Sequence, residues 1–247
     1  MRVGIVDYGA GNLHSVQRAL SWLAAHGSGA FPVPAVEPLV GNRPAELSSC
    51  DAVILPGVGA FAAAMQSLQA AGWTDWLREW VGSGRPFLGI CLGLQLLFSA
   101  SEEGGPPDVP GLDILPGRVL RLRPGSMGGA GQAGRERERL PVPHMGWNQV
   151  HLTPAGRQCP LFAGVPDGSY FYFVHSFFVQ PRDPSWDCGG VAATTDYGGT
   201  FPVAVWRDSV FAVQFHPEKS GQAGLQILGN FLHLADRCQR GEAACCR

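Results

Sequence analysis

Pro86-Phe87-Leu88-Gly89-Ile90-Cys91-Leu92-Gly93-Leu94-Gln95 joins a short apolar run to a helical pattern through a cysteine set between glycines. The run from Pro86 to Ile90 is continuous rather than alternating, which marks a strand covered on both faces. A helix is expected over Leu92–Ser99. A nucleophile on so sharp a strand-to-helix turn needs small neighbours, and Gly89 and Gly93 supply them. The turn aims Cys91 at the carboxyl ends of the strands and sets it at a helix N-terminus, where thiolate is favoured over thiol. The Leu92 N–H is then placed to donate to an oxyanion. Read alone, the same residues also fit a buried cysteine at a strand end.

Working outward, Val3–Asp7 and Ala52–Leu55 read as further apolar strands. Leu13, Val16, Leu20 and Leu23 give Asn12–Leu23 one apolar helical face. Phe61–Trp80 reads as helical with a break near Gly72. This alternation predicts a parallel, doubly wound sheet. The second half is richer in strands: Arg118–Leu122, Tyr170–Val179, Gly190–Thr195, Pro202–Trp206 and Val210–Phe215, closed by a helix over Gln222–Leu234. The expected fold is a three-layer, flavodoxin-like α/β domain with additional antiparallel strands. Gly104–Gly111 and Pro124–Arg139 read as loops. The run Arg135-Glu136-Arg137-Glu138-Arg139 nearly cancels its own charge, which favours a solvated insertion over a nucleic-acid contact.

Bulk properties narrow the classes. The chain has 247 residues, 45% of them apolar, and a net charge of -2. No basic field argues for nucleic acid or an anionic membrane, and no run of about 18 apolar residues argues for a span. The N-terminus is too short an apolar run for a signal peptide, so a cytoplasmic protein is expected. The seven cysteines include no Cys-x-x-Cys pair, so neither a zinc site nor a disulfide framework is written here. Cys50, Cys159, Cys188 and Cys238 read as small, inert residues, and Cys245 and Cys246 lie in a polar tail.

A cysteine nucleophile needs a base, and the base an orienting group. Val213-Gln214-Phe215-His216-Pro217-Glu218 supplies both. His216 ends an apolar strand as Cys91 does, and two strand ends of one parallel sheet meet in its carboxyl-edge crevice. Glu218, two residues on, is placed to accept a hydrogen bond from the imidazole. Gly57-Val58-Gly59 after the Ala52–Leu55 strand has two readings: a second oxyanion donor, or only a tight turn.

The elbow together with His216-Pro217-Glu218 resembles the class I, or triad, glutamine amidotransferases. Val6-Asp7-Tyr8-Gly9-Ala10-Gly11-Asn12-Leu13, Pro143-His144-Met145-Gly146-Trp147-Asn148, Phe173-Val174-His175-Ser176-Phe177 and Gln214–Gly221 look, more narrowly, like the glutaminase subunits of imidazole glycerol phosphate synthases. The motifs recur in order from end to end of the chain. The resemblance implies one glutamine amidotransferase domain over residues 1–235, with 236–247 a polar tail. It implies that Cys91 attacks the side-chain amide of L-glutamine, that His216 transfers protons and that Glu218 holds His216. It implies an oxyanion hole from Leu92, Gly57 and Val58, and a glutamine pocket from Gly59, Gln95, His175, Ser176 and Phe177. Ammonia would pass to a (β/α)8-barrel cyclase subunit that makes imidazole glycerol phosphate in histidine synthesis. No metal or cofactor is implied.

Lys219 is the single lysine of the chain's eighteen basic residues. The resemblance implies that it pairs with a carboxylate of the cyclase; otherwise it is a stray surface residue. Asn12 and Trp147 are further interface candidates, with a helix N-cap and a core tryptophan as their competing readings. Phe177 stands where a tyrosine is common, and Gly27–Ser49 is longer and more irregular than the resemblance leads one to expect. Three other readings compete: a related triad glutaminase of another synthase, a stand-alone hydrolase, and a non-catalytic binding module on the same fold.

Overall fold

A computed structural model describes residues 1–27, 34–123, 140–186 and 189–242. The Pro124–Arg139 loop, Cys188, Cys245 and Cys246 lie outside the described residues. The first half runs β1 (Arg2–Val6), α1 (Leu13–His26), β2 (Glu37–Gly41), α2 (Pro44–Leu47), β3 (Ala52–Gly57), α3 (Phe61–Ala70), α4 (Trp73–Gly82), β4 (Phe87–Cys91) and α5 (Leu92–Leu96). The second runs β5 (Phe98–Ser101), β6 (Val109–Pro110), β7 (Leu115–Arg121), β8 (His144–Leu152), β9 (Ser169–His175), β10 (Phe177–Pro181), β11 (Ser185–Trp186), β12 (Gly189–Asp196), β13 (Thr200–Arg207), β14 (Val210–Val213) and α6 (Gly221–Gln239).

The main sheet has the order β2-β1-β3-β4-β14-β13-β12-β8-β9, with β11 beside β12. Its first five strands are parallel, and the rest extend it antiparallel. Side chains alternate across the strands, so two cores form. Val3, Ile5, Ile54 and Leu88 pack with Val16 and Leu20 of α1 and Phe231 of α6. Val6, Val53, Leu55 and Phe87 pack with Phe61, Leu68, Trp73 and Leu77 on the opposite face. These are the three expected layers. Among the described residues no helix is long and apolar enough to cross a membrane.

Several local readings change, and one is the expected Gly104–Gly111 loop, whose Val109 and Pro110 form β6 beside β5. The helix expected over Leu92–Ser99 stops at Leu96, and the chain continues as β5, parallel to β7. The carbonyls of Leu96 and Leu97 accept from Leu112, Ile114 and Leu115 instead, which ties this run into the smaller sheet β10-β7-β5-β6. Tyr170–Val179 is two strands: β9 pairs with β8, β10 pairs with β7, and the break falls at Ser176. Gly27–Ser49 contains β2, whose Pro38 is tolerated because the strand lies at the sheet edge. The helix α6 runs to Gln239, so the first residues of the expected tail from 236 are helical.

Candidate active site

The elbow forms where β4 meets α5. Cys91 has φ 56° and ψ -109°, a conformation that neighbouring structure must enforce. The crowding expected there is present. A Cβ at Gly89 would lie 2.8 Å from the Gly93 carbonyl oxygen, and one at Gly93 would overlap the carbonyl oxygen of Leu55. The helix α5 has only five residues, so it offers free N–H groups more than a summed dipole.

β14 lies beside β4 with Val213 opposite Ile90, so the chain beyond Val213 emerges next to Cys91. His216 is held there by its N–H to the Tyr172 carbonyl at 2.9 Å. Its own carbonyl accepts from Ser220 Oγ at 2.6 Å, and that oxygen accepts from the Tyr172 N–H at 3.0 Å. Sequence reasoning did not single out Ser220, which clamps the turn. His216 Nδ1 and Glu218 Oε1 are 2.8 Å apart, with side chains 2% and 1% exposed. His216 Nε2 is buried and lies close enough to Cys91 for the sulfur to favour its proton. Burial opposes a charge on His216, but Cys91 and Glu218 together outweigh it and push the imidazole up to about 10. A protonated imidazole beside the sulfur is the setting in which a cysteine acts as a nucleophile.

A cavity of about 320 Å³ opens over these groups. It is lined by Val58, Gly59, Cys91, Leu92, Gln95, His175, Ser176, Phe177 and His216, all singled out from the sequence, and also by Glu103, Pro143 and Val174. Gly57 lies opposite Cys91 in the β3–β4 pairing and does not itself line the cavity. Beside it the Tyr8 hydroxyl is buried without a partner. Burial, and then Cys91, push that phenol above its usual range. Glu103 caps α3, accepting from the Phe61 N–H at 2.9 Å.

The pocket wall is ordered by a chain of polar groups. Asn148 Nδ2 donates to the Asp196 carbonyl at 3.0 Å and lies 3.2 Å from His144 Nε2. His144 Nδ1 lies 2.9 Å from His175 Nε2, and His175 Nδ1 lies 2.8 Å from the Phe177 carbonyl. A carbonyl only accepts, so His175 carries its proton on Nδ1 and receives one from His144 at Nε2. Burial holds His144 down to about 4. Burial, with His144 and His216 adding to it, holds His175 down to about 3 against the pull of the Phe177 carbonyl. Both rings are neutral wall elements.

The interface candidates sit outside the cavity. Trp147 is 56% exposed, which excludes a core tryptophan, and it meets Tyr172 edge-on at 6.3 Å. Lys219 is exposed, with Nζ 5.9 Å from the Tyr172 ring centre. Asn12 precedes α1 without a side-chain capping bond. Met145 and Tyr170 add to the exposed apolar surface on β8 and β9. Cys50 and Cys159 are buried, and burial drives the Cys159 thiol up to about 12. Among the described residues no group of three or more His, Cys, Asp or Glu is placed to hold a metal ion.

A family model described as glutamine amidotransferase class-I matches residues 5–235. The imidazole glycerol phosphate synthase subunit HisH of Syntrophotalea carbinolica is 49% identical over 227 residues, covering 92% of this chain and 97% of that protein. The subunit of the same name from Moorella thermoacetica is 48% identical, covering 94% of each. A solved structure described as a glutamine amidotransferase superposes with TM-score 0.63 at 21% identity, covering 95% of this chain and 98% of its own. The structure of PurLQS from Thermotoga maritima superposes with TM-score 0.62 at 17% identity, covering 94% and 97%. At such identities the two structures speak for the fold alone. The chain belongs to the class I glutamine amidotransferases and, within them, to the HisH subunits of imidazole glycerol phosphate synthase.

Proposed function

We propose that Cys91, His216 and Glu218 hydrolyse L-glutamine to glutamate and ammonia, and that the ammonia is delivered to a (β/α)8-barrel cyclase subunit for imidazole glycerol phosphate formation. The observation that carries this reading is the buried His216–Glu218 pair, its atoms 2.8 Å apart, with His216 lining the same cavity as the strained Cys91. The Cys91 sulfur attacks the side-chain amide carbon, and the negative oxygen is met by N–H groups of Leu92 and of the Gly57-Val58 turn. Collapse breaks the C–N bond, and His216 gives its proton to the departing nitrogen, leaving a thioester. His216 then takes a proton from water, whose oxygen attacks the thioester carbon, and the sulfur departs as glutamate forms. Glu218 holds the imidazole in line throughout. Gly59, Gln95, His175, Ser176 and Phe177 surround the substrate, and the Glu103 carboxylate in the wall is placed for its α-ammonium. Lys219, Asn12, Trp147 and the exposed Val58, 40% exposed, form the surface that meets the cyclase.

Ammonia release should be low for the chain alone and rise when the cyclase subunit and its nucleotide ligand are added. Cys91→Ala should cost at least about four orders of magnitude in kcat. Equal release with and without the cyclase would overturn the synthase reading in favour of a stand-alone hydrolase. Full activity in Cys91→Ala would overturn the triad.

A further inference from the structure

Gln214 follows β14 in the register that brings the chain to Cys91, and it is fully buried. An amide buried to this degree must spend its donors and acceptor on specific neighbours. Its Nε2 lies 3.7 Å from Cys91 Sγ. Its Oε1 lies 3.0 Å from Gln95 Nε2.

The two ends of an amide look alike in shape, so their assignment has to come from the partners. Here a backbone group settles it. Gln95 Nε2 also lies 3.0 Å from the Phe177 carbonyl, which is itself the acceptor for His175 Nδ1 at 2.8 Å. A carbonyl cannot donate, so Gln95 must present its NH2 group on that side. The same NH2 faces Gln214, so Gln214 must present its oxygen to Gln95. Only its NH2 is left for the sulfur. A reversed amide would put an oxygen against Cys91 and two NH2 groups against each other. The orientation at the nucleophile is thus fixed by a carbonyl in the pocket wall, through two amides.

The other group at Cys91 Sγ has the opposite preference. The Val174 carbonyl, 3.9 Å from the sulfur, can accept from a thiol but repels a thiolate. The amide N–H of Gln214 stabilises the charged sulfur, as His216 does from its own side.

We infer that Gln214 is a positioning residue for the nucleophile: its amide holds the Cys91 sulfur as a hydrogen-bond acceptor and ties that sulfur to Gln95 in the glutamine pocket. The inference rests on Cys91 being the nucleophile. The test is the rate of Cys91 alkylation by iodoacetamide across pH 6 to 9.5, read peptide by peptide by mass spectrometry on the full chain. Two variants are compared with the parent. Gln214→Met keeps the length and removes the amide. Gln214→Glu keeps the shape and presents an oxygen to the sulfur. Both should slow Cys91 alkylation near pH 7 by roughly tenfold, Glu more than Met, with the gap closing at the alkaline end. Gln214→Met adds no charge and leaves the neighbouring titratable groups Tyr8, His216, Glu218, His175 and Glu103 in place, so its shift reports the amide. The carboxyl group of Gln214→Glu adds its own charge at the sulfur, which is why its effect is the larger. Cys159 should stay unlabelled in each variant, as a core thiol does in an intact fold. Profiles that coincide with the parent's in either folded variant overturn the inference and leave Gln214 a space filler. A parent chain whose Cys91 reacts no faster than Cys159 overturns the nucleophile itself, and this inference with it.

Discussion

The parallel and antiparallel halves of the main sheet hold the site by different means. In the parallel half, Cys91 is set by backbone: a left-handed residue wedged between two glycines that admit no side chain. In the antiparallel half, the pocket wall is set by side chains: Asn148, His144 and His175 pass hydrogen bonds along to the Phe177 carbonyl. Backbone placement is insensitive to protonation but has no room for one extra methyl. Side-chain placement tolerates changes of size better, but it depends on which nitrogen holds a proton. The two halves should therefore fail under different insults.

The largest effect should come from steric insult to the parallel half. Gly93→Ala puts a methyl into the Leu55 carbonyl oxygen, on backbone that cannot swing aside. A loss of about 3 kcal/mol or more is expected, read as a drop in the unfolding midpoint with loss of glutaminase activity in whatever folds. A variant of parental stability would show that the elbow is not held by this contact, and the contrast between the halves would fail.

A second test lies on the wall of the cavity. Glu103→Gln keeps size and the acceptor for the Phe61 N–H but removes the charge proposed for the substrate's ammonium. The loss of a charged hydrogen bond is worth about 1.5–3 kcal/mol, so KM for glutamine should rise roughly 10- to 100-fold with kcat little changed. A fall in kcat at constant KM would place Glu103 in the chemistry instead of in substrate binding.

How legible each half was follows the same division. Cys91, His216 and Glu218 stood out because each role is written locally, in glycine spacing or in a two-residue step from base to carboxylate. Glu103, Tyr8 and the use of Gln214 were not legible, because each depends on which strand ends meet. Nothing in Glu102-Glu103-Gly104 says that this loop reaches the elbow. β8 was not read as a strand, because Gly146 and the exposed Met145 and Trp147 break the apolar alternation that marks a half-buried strand. The break at Ser176 was hidden inside one apolar aromatic run, Tyr170–Val179, whose two ends join different sheets.

The smallest expected effect tests the antiparallel half by pH. His144 is held down to about 4 and His175 to about 3, both well below the imidazole value of about 6.5 in an unfolded chain. Below about pH 6.5 the unfolded chain therefore takes up protons that the folded chain refuses. The stability contributed by the neutral rings is present above that pH and is lost as pH falls toward 4 and 3. His144→Asn keeps an N–H donor near the position of Nδ1 and removes one of the two titrations. It also loses the stacking of the ring on Tyr197 at 4.0 Å, so its Tm should lie below the parent's at pH 7.5. Between pH 6.5 and 4.5 the parent's Tm should fall more steeply, and the gap should narrow by a few degrees. Thermal unfolding followed by circular dichroism across that range reads it directly. Parallel Tm curves would mean that the parent pays no acid penalty at His144. The wall would then be ordered by packing, as the elbow is, and the difference between the two halves would vanish.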